Sequence, residues 1–155
     1  RKKRITIVND TKPVQVAAGS DRYILGVVDS GGRFAAATTA ISGELGDVTR
    51  SDDDCVIKAV RGVAQEVAAG RSAGVVITAR PSVALCLANR QRGVRAAWAV
   101  SAAAVQDAIR HVGANLSIID PTAHGVYELR VMAREFAKGN HECPQVYSQA
   151  LDGES

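Results

Sequence analysis

Aromatic residues are scarce in this chain of 155 residues: they account for 4% of it, although 46% of the residues are hydrophobic. A surface that stacks on nucleobases needs several aromatic rings, so the composition does not favour nucleic-acid binding. The net charge is only +3. Part of that charge lies in the opening run of residues 1–4, which is typical of a solvated tail.

Paired cysteines and long apolar runs are also missing. The three cysteines, Cys55, Cys86 and Cys143, lie far apart, without the paired spacing of a zinc site or a redox dithiol. The sequence therefore predicts a protein of the reducing cytoplasm, with no metal and no cofactor. No apolar run approaches the roughly 20 residues of a transmembrane helix, so no membrane partner is predicted.

From Cys55 onward, apolar runs and helical apolar periodicity alternate. The runs predict buried strands at 74–78, 94–100 and 115–120. The periodicity, with Ser and Gly at the ends, predicts helices at 55–70, 83–93, 101–113 and 125–138. This alternation is typical of parallel strands joined by crossover helices. We therefore predict one α/β domain over residues 1–155, a three-layer Rossmann-like parallel sheet with helices on both faces.

Residues 1–50 allow more than one interpretation. Residues 4–8 and 13–18 have the composition of strands, and residues 42–54 that of a polar loop. Residues 23–41 form either a helix interrupted at Gly31-Gly32 or a hairpin that turns on residues 29–32, and the hairpin is favoured. This part of the chain is thus an N-terminal extension or a hairpin beside the main sheet.

The segment from Gly74 to Gly125 carries a series of short motifs in a fixed order. A buried strand, a turn and a helix close on Leu87-Ala88-Asn89, and Gly93-Val94-Arg95-Ala96-Ala97, His111-Val112-Gly113-Ala114-Asn115 and Gly125 follow. In this order and spacing the segment resembles the ribose-5-phosphate isomerase B and galactose-6-phosphate isomerase family. Upstream, residues 16–21 are similar to the family's first strand and its Gly-x-Asp turn.

The resemblance implies a small α/β domain that forms a homodimer, with each active site built from both subunits. Members of this family interconvert aldose and ketose phosphates through an enediolate. That reaction needs a base near the carbons, amides that stabilise the enediolate oxygen, and cations for the phosphate. The expected partner is therefore a phosphorylated sugar or another small anion.

The family's catalytic base has no counterpart in this chain. Thr78 occupies the position of the Cys that one branch of the family uses, and a Thr hydroxyl is a poor acid without a neighbouring base. Ala84 stands where another branch has a Glu. The Gly-rich turn that binds the enediolate oxygen is replaced by residues 79–82, in which Pro81 has no N–H to donate.

Arg80 and Ser82 in this turn are predicted to contact the ligand, because parallel sheets bind ligands at the carboxyl ends of their strands. A guanidinium at a strand-to-helix turn suits a phosphate or carboxylate. Asp120, which replaces a family Gly, lies at the same edge. It is either a catalytic carboxylate or the cap of the turn that follows.

The other candidates come from the resemblance. His111 matches the family's ring-opening His, although a cation in the last turn of a helix also complements the helix dipole. Asp21 matches the Asp after the first strand, with Arg22 replacing a His as a phosphate ligand. Asn89 and Asn115 are either substrate ligands or partners of the backbone.

Three functions follow from these residues. The first is a divergent sugar-phosphate isomerase whose aldose–ketose activity is weak or lost and whose base is Asp120 or another carboxylate. The second is a non-catalytic sugar-phosphate or anion binder, or a dimeric scaffold, with the same fold. The third is another small-molecule or nucleotide-binding α/β domain, which fold alone supports only weakly.

Overall fold

The computed structural model describes residues 22–29 and 31–153. Five strands lie along this part of the chain: β1 (Tyr23–Val27), β2 (Val48–Arg50), β3 (Ala73–Ile77), β4 (Ala96–Trp98) and β5 (Leu116–Ile119). The helices are α1 (Ala35–Leu45), α2 (Val56–Ala68), α3 (Pro81–Ala88), α4 (Ala102–Val112), α5 (Val126–Lys138) and α6 (Gln145–Ser148). A 3-10 turn, Pro121–Ala123, precedes α5, and a π-helical turn, Gln149–Gly153, follows α6.

The five strands form one parallel sheet in the order β2-β1-β3-β5-β4. The central pair has β1 opposite β3 from Tyr23 with Ala73 to Val27 with Ile77. All residues of β1 and β3 are buried, as expected of strands that are covered on both faces.

Helices cover both faces of the sheet, and each face has its own apolar core. On one face, α1, α4 and α5 contribute side chains that include Ile41, Val105 and Phe136. On the other face, α2 and α3 contribute Val63 and Ala88, among others. The structure therefore confirms the predicted fold class, a three-layer α/β architecture with a Rossmann-like parallel sheet.

The elements predicted beyond residue 55 are all present. The second strand is shorter than predicted, Ala96–Trp98, and the helix predicted at 83–93 begins at Pro81 and ends at Ala88. At α4 both predicted ends are present: the Ser101 hydroxyl accepts a hydrogen bond from the Ala104 amide at 3.0 Å, and Gly113 ends the helix with φ +60°. These are the usual N-cap and left-handed C-cap of a helix.

The hairpin predicted for residues 23–41 is wrong. Residues 23–27 form a central parallel strand, and α1 begins at Ala35. The polar loop predicted at 42–54 is also wrong in part, because α1 extends to Leu45 and β2 occupies Val48–Arg50. Both segments make their contacts with distant parts of the sheet, which local composition does not report.

The strands predicted at 4–8 and 13–18, and the family-like turn at 16–21, lie outside the described residues. Within the described ranges, no helix combines the length and the apolar character needed to cross a membrane.

Candidate functional site

A cleft of about 590 Å³ opens at the carboxyl edge of the sheet, between β1 and β3. Along the chain, β2 follows β1 on one side, and β3 is then added on the other side of β1. The cleft therefore lies at the point where the winding of the sheet reverses. Open α/β sheets bind ligands at such points. The residues that line the cleft are Val28, Asp29, Arg33, Phe34, Asp54, Thr78, Ala79 and Arg80.

Thr78 lies at the end of β3 with only 1% of its surface exposed. Its amide donates to the carbonyl of Ile119 at 3.0 Å, which extends the pairing of β3 with β5 by one residue. Its Oγ1 accepts a hydrogen bond from the Arg80 amide at 3.0 Å. Among residues 22–29 and 31–153, the Thr78 hydroxyl has no acceptor for its own hydrogen.

Arg80 lies at the N-cap position of α3, directly before Pro81 in the first turn. Its side chain is exposed and makes no ion pair within the described part of the chain. The structure thus brings Thr78 and Arg80, two residues singled out in the sequence, to the same cleft, while their roles toward a ligand stay predictions.

Asp29 follows β1 and is bonded to the turn that precedes α1. Its two carboxylate oxygens accept hydrogen bonds from the Arg33 amide at 3.0 Å and from the Phe34 amide at 2.7 Å. Both oxygens of this carboxylate therefore already have a backbone donor. The Arg33 guanidinium lies over the Phe34 ring, 4.5 Å from its centre, and brings a second cation to the cleft.

Asp54 reaches the cleft from the loop between β2 and α2 and is exposed. It is the last of three consecutive aspartates, and the other two are engaged: Asp52 pairs with Arg50, and Asp53 accepts from the Cys55 amide at 2.9 Å. The Asp54 carboxylate has no hydrogen bond or ion pair within residues 22–29 and 31–153.

Sequence reasoning missed Asp29, Arg33, Phe34 and Asp54. The signal for the first three was present, since a buried apolar run at 23–28 precedes Asp29, and helical periodicity resumes after Gly31-Gly32. A strand, a turn and a helix would have placed Asp29 at the ligand edge. No comparable signal distinguished Asp54 from its two acidic neighbours.

Asp120 and Ser82 lie at the carboxyl edge, but neither lines the cleft. The Asp120 Oδ1 accepts hydrogen bonds from the Thr122 amide at 2.9 Å and from the Thr122 hydroxyl at 2.6 Å. The structure therefore supports the cap alternative for Asp120, and its catalytic role stays an untested prediction. Ser82 is exposed in the first turn of α3.

The two asparagines make backbone contacts toward the opposite, amino edge of the sheet. Asn115 accepts from the Arg95 amide at 2.7 Å and donates to the Gly93 carbonyl at 3.0 Å. Asn89 accepts from the Ala96 amide at 2.8 Å and donates to the Ala96 carbonyl at 3.0 Å, so it pairs with the free side of the edge strand β4. These contacts agree with the structural alternative for both residues.

Arg22 and His111 do not reach the cleft within one chain. Arg22 directly precedes β1, so it lies at the amino edge of the described sheet. The strand predicted before Arg22 lies outside the described residues, and the role of Arg22 as a phosphate ligand stays a prediction. Among the described strands, β1 is the first along the chain, and Asp29 lies in the turn that follows it. His111 is exposed in the last turn of α4, which also ends at the amino edge. Asp21 lies outside the described residues.

At the amino edge a buried cation organises the C-terminal segment. The Arg95 guanidinium donates to the carbonyls of Val112, Gly113 and His141, and it binds both carboxylate oxygens of Asp152 at 2.8 and 2.9 Å. Its side chain is 8% exposed, and that of Asp152 is 33% exposed. Buried charges need this degree of pairing.

His141 lies beside this network, in a half-buried position next to Tyr23 and Phe136. Its Nδ1 donates to the Ala114 carbonyl at 2.9 Å. Burial lowers the pKa of His141 below its ordinary value; the hydrogen bond to Ala114 opposes that shift, and the charge of Arg22 reinforces it. Burial also raises the pKa of Tyr23.

A metal centre has no support from the described residues. In residues 22–29 and 31–153, no group of three or more His, Cys, Asp or Glu side chains is arranged to hold an ion.

The solved structures that match this fold include several type B ribose-5-phosphate isomerases. The Mycoplasma genitalium protein, with bound ribulose-5-phosphate, matches with a TM-score of 0.69 and 22% identity over 83% of this chain and 91% of that chain. The Trypanosoma cruzi protein matches with a TM-score of 0.73 and 17% identity over 85% and 92%. The Anaplasma phagocytophilum protein matches with a TM-score of 0.66 and 20% identity over 87% and 99%.

No protein-family model matches the chain, and no curated protein matches its sequence. At identities this low the likeness establishes the fold. The resemblance predicted from the short motifs is thus confirmed at the level of the fold, which the chain shares with the type B ribose-5-phosphate isomerases.

Proposed function

We propose that the cleft between β1 and β3 binds a phosphorylated sugar and that aldose–ketose isomerisation of this ligand is slow or lost. The observation that carries the proposal is the pair of exposed guanidinium groups, Arg33 and Arg80, on the walls of a cleft at the switch point of the sheet. Arginine forks bind phosphate in a bidentate manner, and the site lies where this class of sheet binds its ligands.

The remaining lining of the cleft favours a sugar phosphate over plain phosphate. Thr78 lines the cleft beside the two arginines, and its hydroxyl is a group that hydrogen-bonds to sugar oxygens. A volume of about 590 Å³ falls within the usual range of small-molecule sites. The Mycoplasma genitalium relative in fold has ribulose-5-phosphate bound.

Slow or absent turnover is proposed because the turn after β3 is poorly suited to stabilise an enediolate. Pro81 has no amide hydrogen, and the Arg80 amide is already bonded to Thr78. Asp29 is likewise bonded to two amides of the turn before α1. Removing one donor from an oxyanion site costs about 100- to 1000-fold in rate.

A non-catalytic binder is the second candidate, and the same turn favours it. The arginines that hold a phosphate are independent of the groups that would move a proton. A protein that keeps the former and loses the latter retains sugar-phosphate affinity without turnover.

The experiment is a binding survey by thermal shift with ribose 5-phosphate, ribulose 5-phosphate, inorganic phosphate and a nucleoside monophosphate. We expect the sugar phosphates to raise the melting temperature of the wild type. Arg80→Ala should abolish the shift, because a charged hydrogen bond to phosphate contributes about 1.5–3 kcal/mol. The matched control is Arg90→Ala, which removes an exposed arginine just beyond the end of α3, toward the opposite edge.

A shift that persists in Arg80→Ala, or that is as large with inorganic phosphate alone, would contradict the proposed site. A coupled isomerase assay on the same samples separates the two candidates. Turnover near the enzymatic median of about 10 per second would show that isomerisation is neither slow nor lost.

A further inference from the structure

We infer that Asp54 is the carboxylate that moves the proton of a sugar phosphate in this cleft, with the hydroxyl of Thr78 as hydrogen-bond donor to the carbonyl oxygen. The inference rests on the proposed function, because it requires a sugar phosphate in the cleft. It assigns chemistry to two groups that line this cleft and have no partner among the described residues, the carboxylate of Asp54 and the hydroxyl hydrogen of Thr78.

The first observation is that, within the described residues, the carboxylate of Asp54 makes no hydrogen bond or ion pair, unlike the other carboxylates near this edge. Among the described residues, Asp29 accepts from two amides of the turn before α1, and Asp52 pairs with Arg50. Asp53 accepts from the Cys55 amide, and Asp120 accepts from Thr122. Asp54 lines the cleft without a hydrogen bond or an ion pair in residues 22–29 and 31–153. An unengaged carboxylate is available to a substrate, whereas a capping carboxylate is not.

The second, independent observation is the unpaired donor of Thr78. Its side chain is almost wholly buried, yet within the described ranges its hydroxyl hydrogen has no acceptor. Buried donors nearly always have a partner. Because Oγ1 already accepts the Arg80 amide, the free hydrogen is left for an acceptor in the cleft, such as the carbonyl oxygen of an open-chain sugar.

Together the two groups can carry an aldose–ketose proton transfer. The Asp54 carboxylate takes the proton from C2 of the aldose, and the electron pair of that C–H bond becomes the C1–C2 double bond of an enediolate. The carbonyl electron pair moves onto O1, which receives the hydrogen bond of Thr78. Asp54 returns a proton to C1 as the O2 proton passes to O1, so the ketose forms with no net gain or loss of atoms or electrons.

The position of Asp54 also accounts for slow turnover. The residue is exposed at the rim of the cleft, and water that solvates a carboxylate opposes its attack on a C–H bond. The same exposure lets the transferred proton exchange with solvent while Asp54 holds it. A solvent-exchange measurement therefore detects the step even where net isomerisation is small.

The experiment follows deuterium incorporation into ribulose 5-phosphate and ribose 5-phosphate in D2O by proton NMR, beside the dissociation constants of both sugars. We expect the wild type to exchange the C1 proton of the ketose and the C2 proton of the aldose. Asp54→Asn should slow exchange by at least about 100-fold, the usual contribution of a general base, with dissociation constants changed less than about threefold.

Two further variants make the result specific. Asp53→Asn removes the same charge one residue away and keeps an oxygen for the Cys55 amide, so its exchange rate should stay near that of the wild type. Thr78→Val should slow exchange by about 10-fold or more, whereas Thr78→Ser, which keeps the hydroxyl, should restore most of the rate.

A failure of the proposed function can be distinguished from a failure of the assignment of Asp54. If the wild type binds neither sugar phosphate, the proposed function is wrong and the assignment of Asp54 fails with it. If the wild type binds but does not exchange, or if Asp54→Asn exchanges at the rate of the wild type, the assignment is overturned while the binding function stands. Loss of binding in Asp54→Asn would also overturn it, because the residue would then be a ligand contact and not the base.

Discussion

Several side chains of this protein are held in place by hydrogen bonds to backbone that is distant in sequence. Arg95 is the clearest case, because its buried guanidinium joins the end of α4, the carbonyl of His141 and the carboxylate of Asp152. Removing one partner of such a group leaves a charge that the interior cannot solvate. The segment around His141 is therefore fixed to the amino edge of the sheet by side-chain bonds and not by strand pairing.

His141 should make folding stability depend on pH in a defined direction. Its pKa in the folded protein is lowered, first by burial, so the unfolded chain takes up the proton first as the pH falls. The free energy of unfolding should thus be largest above the unfolded pKa of about 6.5. It should decline as the pH drops through that value and level off below the folded pKa.

The test compares the wild type with His141→Asn by chemical denaturation between about pH 8 and pH 5.5. Asn retains a donor that can reach the Ala114 carbonyl but does not titrate. We expect a flatter pH profile for the variant, while its stability at about pH 8 reports the change in packing alone. An unchanged slope over this range would show that His141 is not the group responsible.

At the scale of elements, the candidate cleft is formed where strands end and helices begin. Every predicted element beyond residue 55 is present, because its apolar periodicity and its caps agree with each other. The errors are β1 and β2. The sequence predicts β1 as one arm of a hairpin, because the Gly-rich turn after it suits a hairpin as well as a strand-to-helix connection. The strand β2 has only three residues, which is too short to give a recognisable apolar pattern.

Gly113 is the helix end that tolerates substitution least. It has φ +60°, and a Cβ at this position would overlap the backbone carbonyl of Glu142. We expect Gly113→Ala to lower the free energy of unfolding by about 2–4 kcal/mol, from backbone strain and overpacking together. Chemical denaturation of the two proteins measures this difference in the free energy of unfolding.

The matched control is Gly43→Ala in α1, where an added Cβ meets nothing within 4 Å. Because alanine is the better helix former, this variant should be more stable than the wild type by about 0.5–1 kcal/mol. Equal effects of the two substitutions would contradict the role assigned to the contact between Gly113 and Glu142.

At the scale of the whole molecule, the sheet order brings some candidate residues together and separates others. Thr78, Arg80, Asp29 and Asp54 meet at one cleft because β1 and β3 are neighbours and β2 lies beside β1. His111 lies at the opposite edge of the same chain. A role for His111 in this cleft therefore requires a second copy of the protein.

We predict a homodimer on this ground and on the surface of the C-terminal segment. Val146, Tyr147 and Leu151 leave 79%, 48% and 43% of their surfaces exposed, and exposed apolar groups of this kind mark interaction sites. Light scattering after size-exclusion chromatography should give the mass of two chains.

Val146→Asp should shift the protein toward the mass of one chain, because a charge at an apolar contact must be desolvated on association. The control Gln65→Asp, at an exposed polar residue on α2, should leave the mass unchanged. A single-chain mass for the wild type at micromolar concentrations would rule out the predicted dimer.

The sequence by itself determined the layered α/β fold, because strand runs and helix faces are encoded by neighbouring residues. It also identified Thr78 and Arg80, whose place after a strand is a local property. Only the tertiary structure decided that Asp29 and Asp54 share their cleft, since strand order depends on which crossovers bury the most apolar surface across the whole chain. At this edge of the described chain, it alone showed that the carboxylates of Asp29 and Asp120 are bonded and that the carboxylate of Asp54 is not, because side-chain orientation leaves no pattern in the sequence.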